Sequence, residues 1–262
     1  MRPLELTPRG VFGTLAVLLV AGLCIRLGLW QLDRRAQRLE RNRVMAERMA
    51  TDPVRLTSAP TDTAGLAFRR AIVEGIVDDD RAIILAGRSL NGAPGVHLLS
   101  PVRTGGGAVL VNRGWLPAPD GATVELDAVR LEGRLEAEGV LVPFPDVDVD
   151  LDAEAFRTQW FRVDGPAIRR QYPYPVAPLY LVATARPRTP GADTDAAAGA
   201  GPPVPLEPPT LDPGPHLSYA IQWFSFAAIA LIGWAVLVVQ RGRAGRDDGP
   251  STPTPVPPVP GT

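Results

Sequence analysis

Two apolar segments of about twenty residues, one near each end of a 262-residue chain, limit what it can become. The first, VFGTLAVLLVAGLCIRLGLW, runs from about Val11 to Trp30 and is broken only by Arg26; the second runs from about Leu217 to Val239. An α-helix of about 20 residues, at 1.5 Å per residue, crosses the roughly 30 Å of bilayer hydrocarbon. The first segment is longer than the core of a signal peptide, and no A-x-A-like site precedes the charged run after it. Both segments are therefore expected to be membrane helices, with Arg26 snorkelling and Trp30 at headgroup level.

Two spans put both termini on one side. Arg241, Arg243 and Arg246 follow the second span, and no basic residue precedes it for about 20 positions, so the C-terminus is expected in the cytoplasm. The first span gives the opposite bias, with Arg34, Arg35, Arg38, Arg41 and Arg43 on its far side. Those arginines alternate with Asp33, Glu40 and Glu47 at helical pairing distances, which predicts an amphipathic helix over about residues 31–50. The expected order is a cytoplasmic N-terminus (1–10), a span (11–30), an extracytoplasmic domain (31–186), a Pro/Gly/Ala-rich linker (187–215), a second span (216–239) and a disordered cytoplasmic tail (240–262).

From about residue 66 to 186 the pattern is that of strands. FRRAIVEGIVD, RAIILAGRS, VHLLSPVR, GAVLVNRGW, VELDAVRLEGRLEA, QWFRVD and LYLVATAR are separated by turn-forming DDD, NGAPG, TGGG and PAPDG. They predict a mainly antiparallel sheet closed into a small barrel or sandwich. One short helix is expected near PAIRRQY, with Pro166 preset for its first turn.

Catalytic signals are thin. His97 and Ser100 are three apart on a predicted strand and point to opposite faces, which does not build a nucleophile and its base. No G-x-S-x-G, H-E-x-x-H or phosphate-binding glycine loop occurs, and an enzyme is not expected. Asp146, Asp148, Asp150 and Asp152 alternate in an acidic loop that lacks the glycine turn and terminal Glu of a calcium site. The lone Cys24 lies in the first span and reads as a small buried hydrophobe. A net charge of −1 gives no argument for nucleic acid. In VLVNRGWLP, Arg113 offers a planar fork and Trp115 an amphipathic ring. Two uses stay open there: an internal Arg–carboxylate bond at a strand end, or a grip on a ligand or partner.

Three stretches together resemble one family: LGLWQLDRRAQRLERN after the first span, GVHLLSPVRTGGGAVLVNRGWLP in the domain, and HLSYAIQWFSF opening the second span. The resemblance is to the SURF1 family of cytochrome c oxidase assembly proteins. Its LG-x-WQ, G-x-x-x-x-x-P…VLVNRGW-x-P and H-x-x-YA-x-x-WF patterns fall on Leu27–Gln31, on Gly95, Pro101 and Asn112–Pro117, and on His216–Phe224. The match covers essentially residues 10–240, and residues 187–210 are an unusually Pro/Ala-rich form of the family's variable loop.

The resemblance implies a two-span protein of the cell membrane that assists haem-copper oxidase maturation, binding haem a transiently and aiding its insertion into the catalytic subunit. The implied partners are the oxidase subunits, the lipid bilayer and haem a synthase. It also implies that His216 is the haem-iron ligand. The spacing adds Tyr219 and Trp223 as aromatics that pack against the haem, and Arg113 with Trp115 is the surface by which the domain would grip a partner subunit. On a helix His216, Tyr219, Ala220, Trp223 and Ala227 share a face whose alanines leave room for a macrocycle, whereas Ser218, Gln222 and Ser225 are expected to meet the first span. His216 also reads as a polar anchor in an aromatic belt. A scaffold that binds an oxidase subunit without haem is the alternative function.

Overall fold

The computed structural model describes residues 8–145, 155–189, 201 and 203–247, so the acidic run Asp146–Asp152, the middle of the 187–215 segment and the end of the tail lie outside it. In chain order the elements are α1 (Pro8–Met49), β1 (Val54–Leu56), β2 (Arg70–Val77), β3 (Ile83–Leu90), β4 (Ala93–Thr104), β5 (Gly107–Pro117), β6 (Arg134–Pro143), β7 (Gln159–Trp160), α2 (Gly165–Arg170), β8 (Val176–Ala183) and α3 (His216–Asp247). The chain divides into two compact units, Met1–Arg41 with Asp212–Thr262, and Asn42–Leu211.

In the first unit α1 and α3 pack as an antiparallel pair. Gly10–Met49 and His216–Arg241 are both long and apolar enough to cross a membrane. The predicted span and the predicted amphipathic helix are one continuous α1, because no glycine or proline interrupts residues 29–49. The pair is seamed by small residues. Ala21, Cys24 and Ala227 are buried together with Trp223 packed on them. A Cβ at Gly28 would come within 2.7 Å of the Phe224 ring, and one at Gly13 within 2.5 Å of Trp234. With lipid tails as apolar as leucine, such close approach supplies the dispersion contact that holds two spans together.

The second unit is a small closed β-barrel. Strands β2, β6, β8, β5 and β4 follow one another in the sheet, and β2 returns to β4 through Ile76↔Arg103 and Val77↔Val102. Closure is possible because position 75 is glycine: a Cβ there would lie 2.1 Å from the Arg103 carbonyl oxygen. The sheet is mainly antiparallel, with parallel pairings β1–β2, β5–β8 and β3–β7. Inside sit Val73, Val102, Val109, Val111, Leu135, Leu141, Leu179 and Leu181, each contributing about 1.5–3 kcal/mol of burial.

β5 is covered on both faces, which explains its unbroken apolar run. Leu110 points outward into a second cluster with Leu85, Leu99, Trp160, Ile168 and Tyr172, roofed by α2. The α2 helix starts where Pro166 and the Asp164 cap predict, the Asp164 carboxylate accepting from Ala167 N at 2.9 Å.

Three sequence expectations need correction. VELDAVRLEGRLEA is not one strand: Leu126–Val129 is a 3-10 turn, and β6 begins only at Arg134, after Gly133 at φ 81°. QWFRVD contributes only the two residues of β7. The described ends of the 187–215 segment are not free linker. Arg188 exchanges both backbone hydrogen bonds with Glu136, Val204 does so with Trp115, and Leu206 N donates to Ala183 O.

Candidate functional site

The NRGW stretch is set by a β-bulge. Leu98 pairs with Gly114 and Leu99 with Asn112, so Arg113 is the extra residue and swings out of register. Gly114 takes φ 126°, and a Cβ there would meet the Val204 carbonyl oxygen at 2.1 Å. Asn112 Oδ1 locks the bulge by accepting from Gly114 N at 3.1 Å.

Arg113 is consequently buried, 4% exposed. Its guanidinium donates to Asp79 Oδ2 at 2.8 Å, Ser100 Oγ at 3.4 Å and Val129 O at 2.5 Å. Asp79 Oδ2 also accepts from Leu131 N at 2.7 Å. Burial pulls the Arg113 pKa below the ordinary guanidinium value, and the Asp79 carboxylate pushes it back up. Of the two uses left open by the sequence, the guanidinium takes the internal carboxylate, stapling the loops after β2 and before β6 onto the barrel. Trp115 is half-buried, its backbone committed to Val204 and its indole resting on Gly95, where a Cβ would lie 2.3 Å from Nε1.

His97 and Ser100 are not brought together as a pair. Ser100 Oγ faces Arg113, whereas His97 Nδ1 lies 3.4 Å from Asn112 Nδ2, in register with Trp115. Burial, with Arg88 adding to it, pushes His97 down to about 4.

In the helix pair the geometry is different. His216 is the first residue of α3, and the turn LDPGP leads into it. Asp212 Oδ1 accepts from Gly214 N at 2.9 Å, and Arg38 Nε holds the Asp212 carbonyl at 3.1 Å. Gly214 has φ 73°, and a Cβ there would lie 3.7 Å from His216 Nε2, so the glycine leaves that ring edge bare. His216 Nδ1 lies 2.9 Å from Gln31 Oε1. A carboxamide oxygen only accepts, so Nδ1 is the donor in this contact and Nε2 is the ring nitrogen turned away from it. Among the described residues Nε2 has no protein partner.

Gln31 enters the sequence only as a letter of the LG-x-WQ pattern, but its spacing of three, seven and ten from Gly28, Cys24 and Ala21 is the signal that puts it on the packed face. The wheel needs one reversal. Ala220 and Ala227, at 1% and 4% exposure, are filled by α1 and do not leave a slot between the helices. Ser218 and Ser225 are exposed and bond back to Pro215 O and Ile221 O, and Gln222 is exposed too. Small residues face the partner helix because only they permit close approach. Tyr219 is 48% exposed beside His216, and Trp223 is half-buried, edge-on to Phe226 at 5.9 Å.

Two apolar helices, one at each end of a chain whose middle is a closed small barrel, with a histidine and a glutamine paired where the apolar segments end, define a doubly anchored β-barrel protein. The SURF1 family profile matches residues 18–228. The chain belongs to the SURF1 family. It is 26% identical over 261 residues to a SURF1-like protein of Monosiga brevicollis, covering 92% of each chain. It is 28% identical over 257 residues to an uncharacterized SURF1-like protein of Mycobacterium tuberculosis, covering 94% of this chain and 89% of that one. Surfeit locus protein 1 of Arabidopsis thaliana is 25% identical over 276 residues, with 82% and 74% covered.

Proposed function

We propose that this protein is an assembly factor for haem-copper cytochrome c oxidase, holding haem a through His216 while the haem is passed to the catalytic subunit. α1 and α3 anchor it in the cell membrane with both termini cytoplasmic, in keeping with the arginines in the last turns of α3. The oxidase subunits and haem a synthase are its partners on this reading.

The observation that carries the proposal is the His216–Gln31 pair, which presents an imidazole with Nδ1 bonded and Nε2 uncommitted. Haem a would bring its own iron, which a neutral imidazole such as that of His216 would hold. One histidine therefore suffices. Among the described residues no cluster of three or more His, Cys, Asp or Glu side chains could hold a bare ion, so a self-contained metal cofactor is the better fit. A single exposed ligand also suits a carrier that must let go. Gln31 holds the ring through Nδ1, and Tyr219 offers an exposed aromatic face beside it.

The test is the visible spectrum of the full chain purified from cells that make haem a, beside His216→Ala. Copurification of oxidase subunits from cells unable to make haem a separates the scaffold alternative: there the wild type would bind them as well as it does with haem.

A further inference from the structure

We infer that Arg26, Trp30 and Arg34 form a binding site for the phosphodiester headgroup of an anionic phospholipid, on the face of α1 turned away from α3. This rests on the reading of α1 as a membrane span. The face of α1 that meets α3 is fixed by Ala21, Cys24, Gly28 and Gln31. Arg26 is two residues from both Cys24 and Gly28, so it projects about 200° around the helix from that seam. Trp30 and Arg34 follow at spacings of four and share its stripe. All three are exposed.

Among the described residues nothing balances the charge of Arg26. No acidic residue occurs between Gly10 and Leu32, nor from His216 to Arg246 on the neighbouring helix. The nearest carboxylate in sequence, Asp33, is seven residues on, roughly 10 Å of helical rise away. A guanidinium in the apolar layer is costly without an anion or water.

Arg34 approaches from the other side. Its guanidinium carbon lies 5.5 Å over the Trp30 ring, one turn back toward Arg26, while its Nη1 donates to Gln37 Oε1 at 3.1 Å. Arg34 thus reaches down to the level of Trp30, and Arg26, four residues below Trp30 on the same stripe, has a stem long enough to snorkel toward that level. Two planar forks at the level of an interfacial indole suit one phosphate, which accepts from both while the acyl chains run along the apolar stretch below. Charge beyond the stripe favours an anionic lipid over a zwitterionic one, since residues 35–48 hold five arginines and two acids.

The test reconstitutes the full chain in vesicles of equimolar phosphatidylcholine and phosphatidylglycerol, extracts it in mild detergent and weighs retained lipid by native mass spectrometry. Wild type is expected to retain phosphatidylglycerol preferentially, and Arg26→Leu and Arg34→Gln each to reduce that preference about fivefold. Arg43→Gln, at a residue paired with Glu47 nine positions beyond Arg34, is expected to lower the preference far less than either. Arg34 lies outside the apolar segment, so its variant reports even if Arg26→Leu inserts poorly. Equal retention of both lipids, or unchanged preference in Arg34→Gln, overturns the site while leaving the span intact. Failure of the wild type to float with any vesicle would instead overturn the span and the site together.

Discussion

His216 Nδ1 lies 2.9 Å from Gln31 Oε1, a contact between side chains 185 residues apart that ties the start of α3 to the end of the apolar part of α1. The bond does two things at once. It anchors the helix pair at its polar end, and it fixes which imidazole nitrogen faces outward. Removing the orienting partner of a metal-ligating histidine costs about 10–100-fold in metal affinity. Gln31→Leu is therefore expected to weaken haem a binding by about that factor without abolishing it. A haem titration of the purified variant checks this, and an affinity equal to wild type would remove Gln31 from the site.

The seam below that bond depends on missing side chains. Gly28→Val would drive a Cβ into Phe224, where it has 2.7 Å, and overpacking of this kind costs about 1–3 kcal/mol. Thermal unfolding of the full chain should show the loss. Adding Phe224→Ala should recover part of it, because the nearest atoms a Cβ would meet are all in that ring.

The staple in the barrel should be costlier to break. Arg113→Met leaves the Asp79 carboxylate buried with only Leu131 N beside it, and loss of one partner from a buried pair costs about 3–5 kcal/mol. Replacing both, as Asp79→Leu with Arg113→Met, should cost less than Arg113→Met alone. Denaturant unfolding followed by tryptophan fluorescence measures both. Equal losses would mean that the ion pair is not what holds the loops.

His97 gives the barrel a pH dependence. Its folded pKa, about 4, lies below the ordinary 6.5, so between these values the unfolded chain binds the proton more readily. The stability due to neutral His97 is fully present above about pH 6.5 and is lost as pH falls toward 4. His97→Gln should flatten the difference in melting temperature between pH 7 and pH 4.5 relative to wild type. Parallel curves for the two proteins would contradict this assignment.

Much of the architecture was legible in the sequence because it rests on local patterns. Twenty apolar residues read as a span whatever they pack against, and TGGG between alternating runs read as the hairpin from Thr104 to Gly107 that joins β4 and β5. What escaped depends on contacts far apart in the chain. Nothing near Arg113 announces that Asp79 is its partner, since a bulge of one residue decides which way the guanidinium points. Barrel closure through Gly75 is likewise a meeting of two distant strands. In α3 the wheel grouped Ala220 and Ala227 with His216 correctly, but periodicity alone cannot say whether a face of small residues admits a ligand or a helix. Gln31 was in view as a motif letter, and only the fold gave it a partner.

The role of His216 is tested most directly by the visible spectrum of the full-length protein purified from cells making haem a, run beside His216→Ala at matched concentration. The expected result is a haem a spectrum in the wild type that disappears in the variant while its helical content is unchanged. A variant that keeps the spectrum, or a wild type that takes up no haem a when it is supplied in excess, would contradict it.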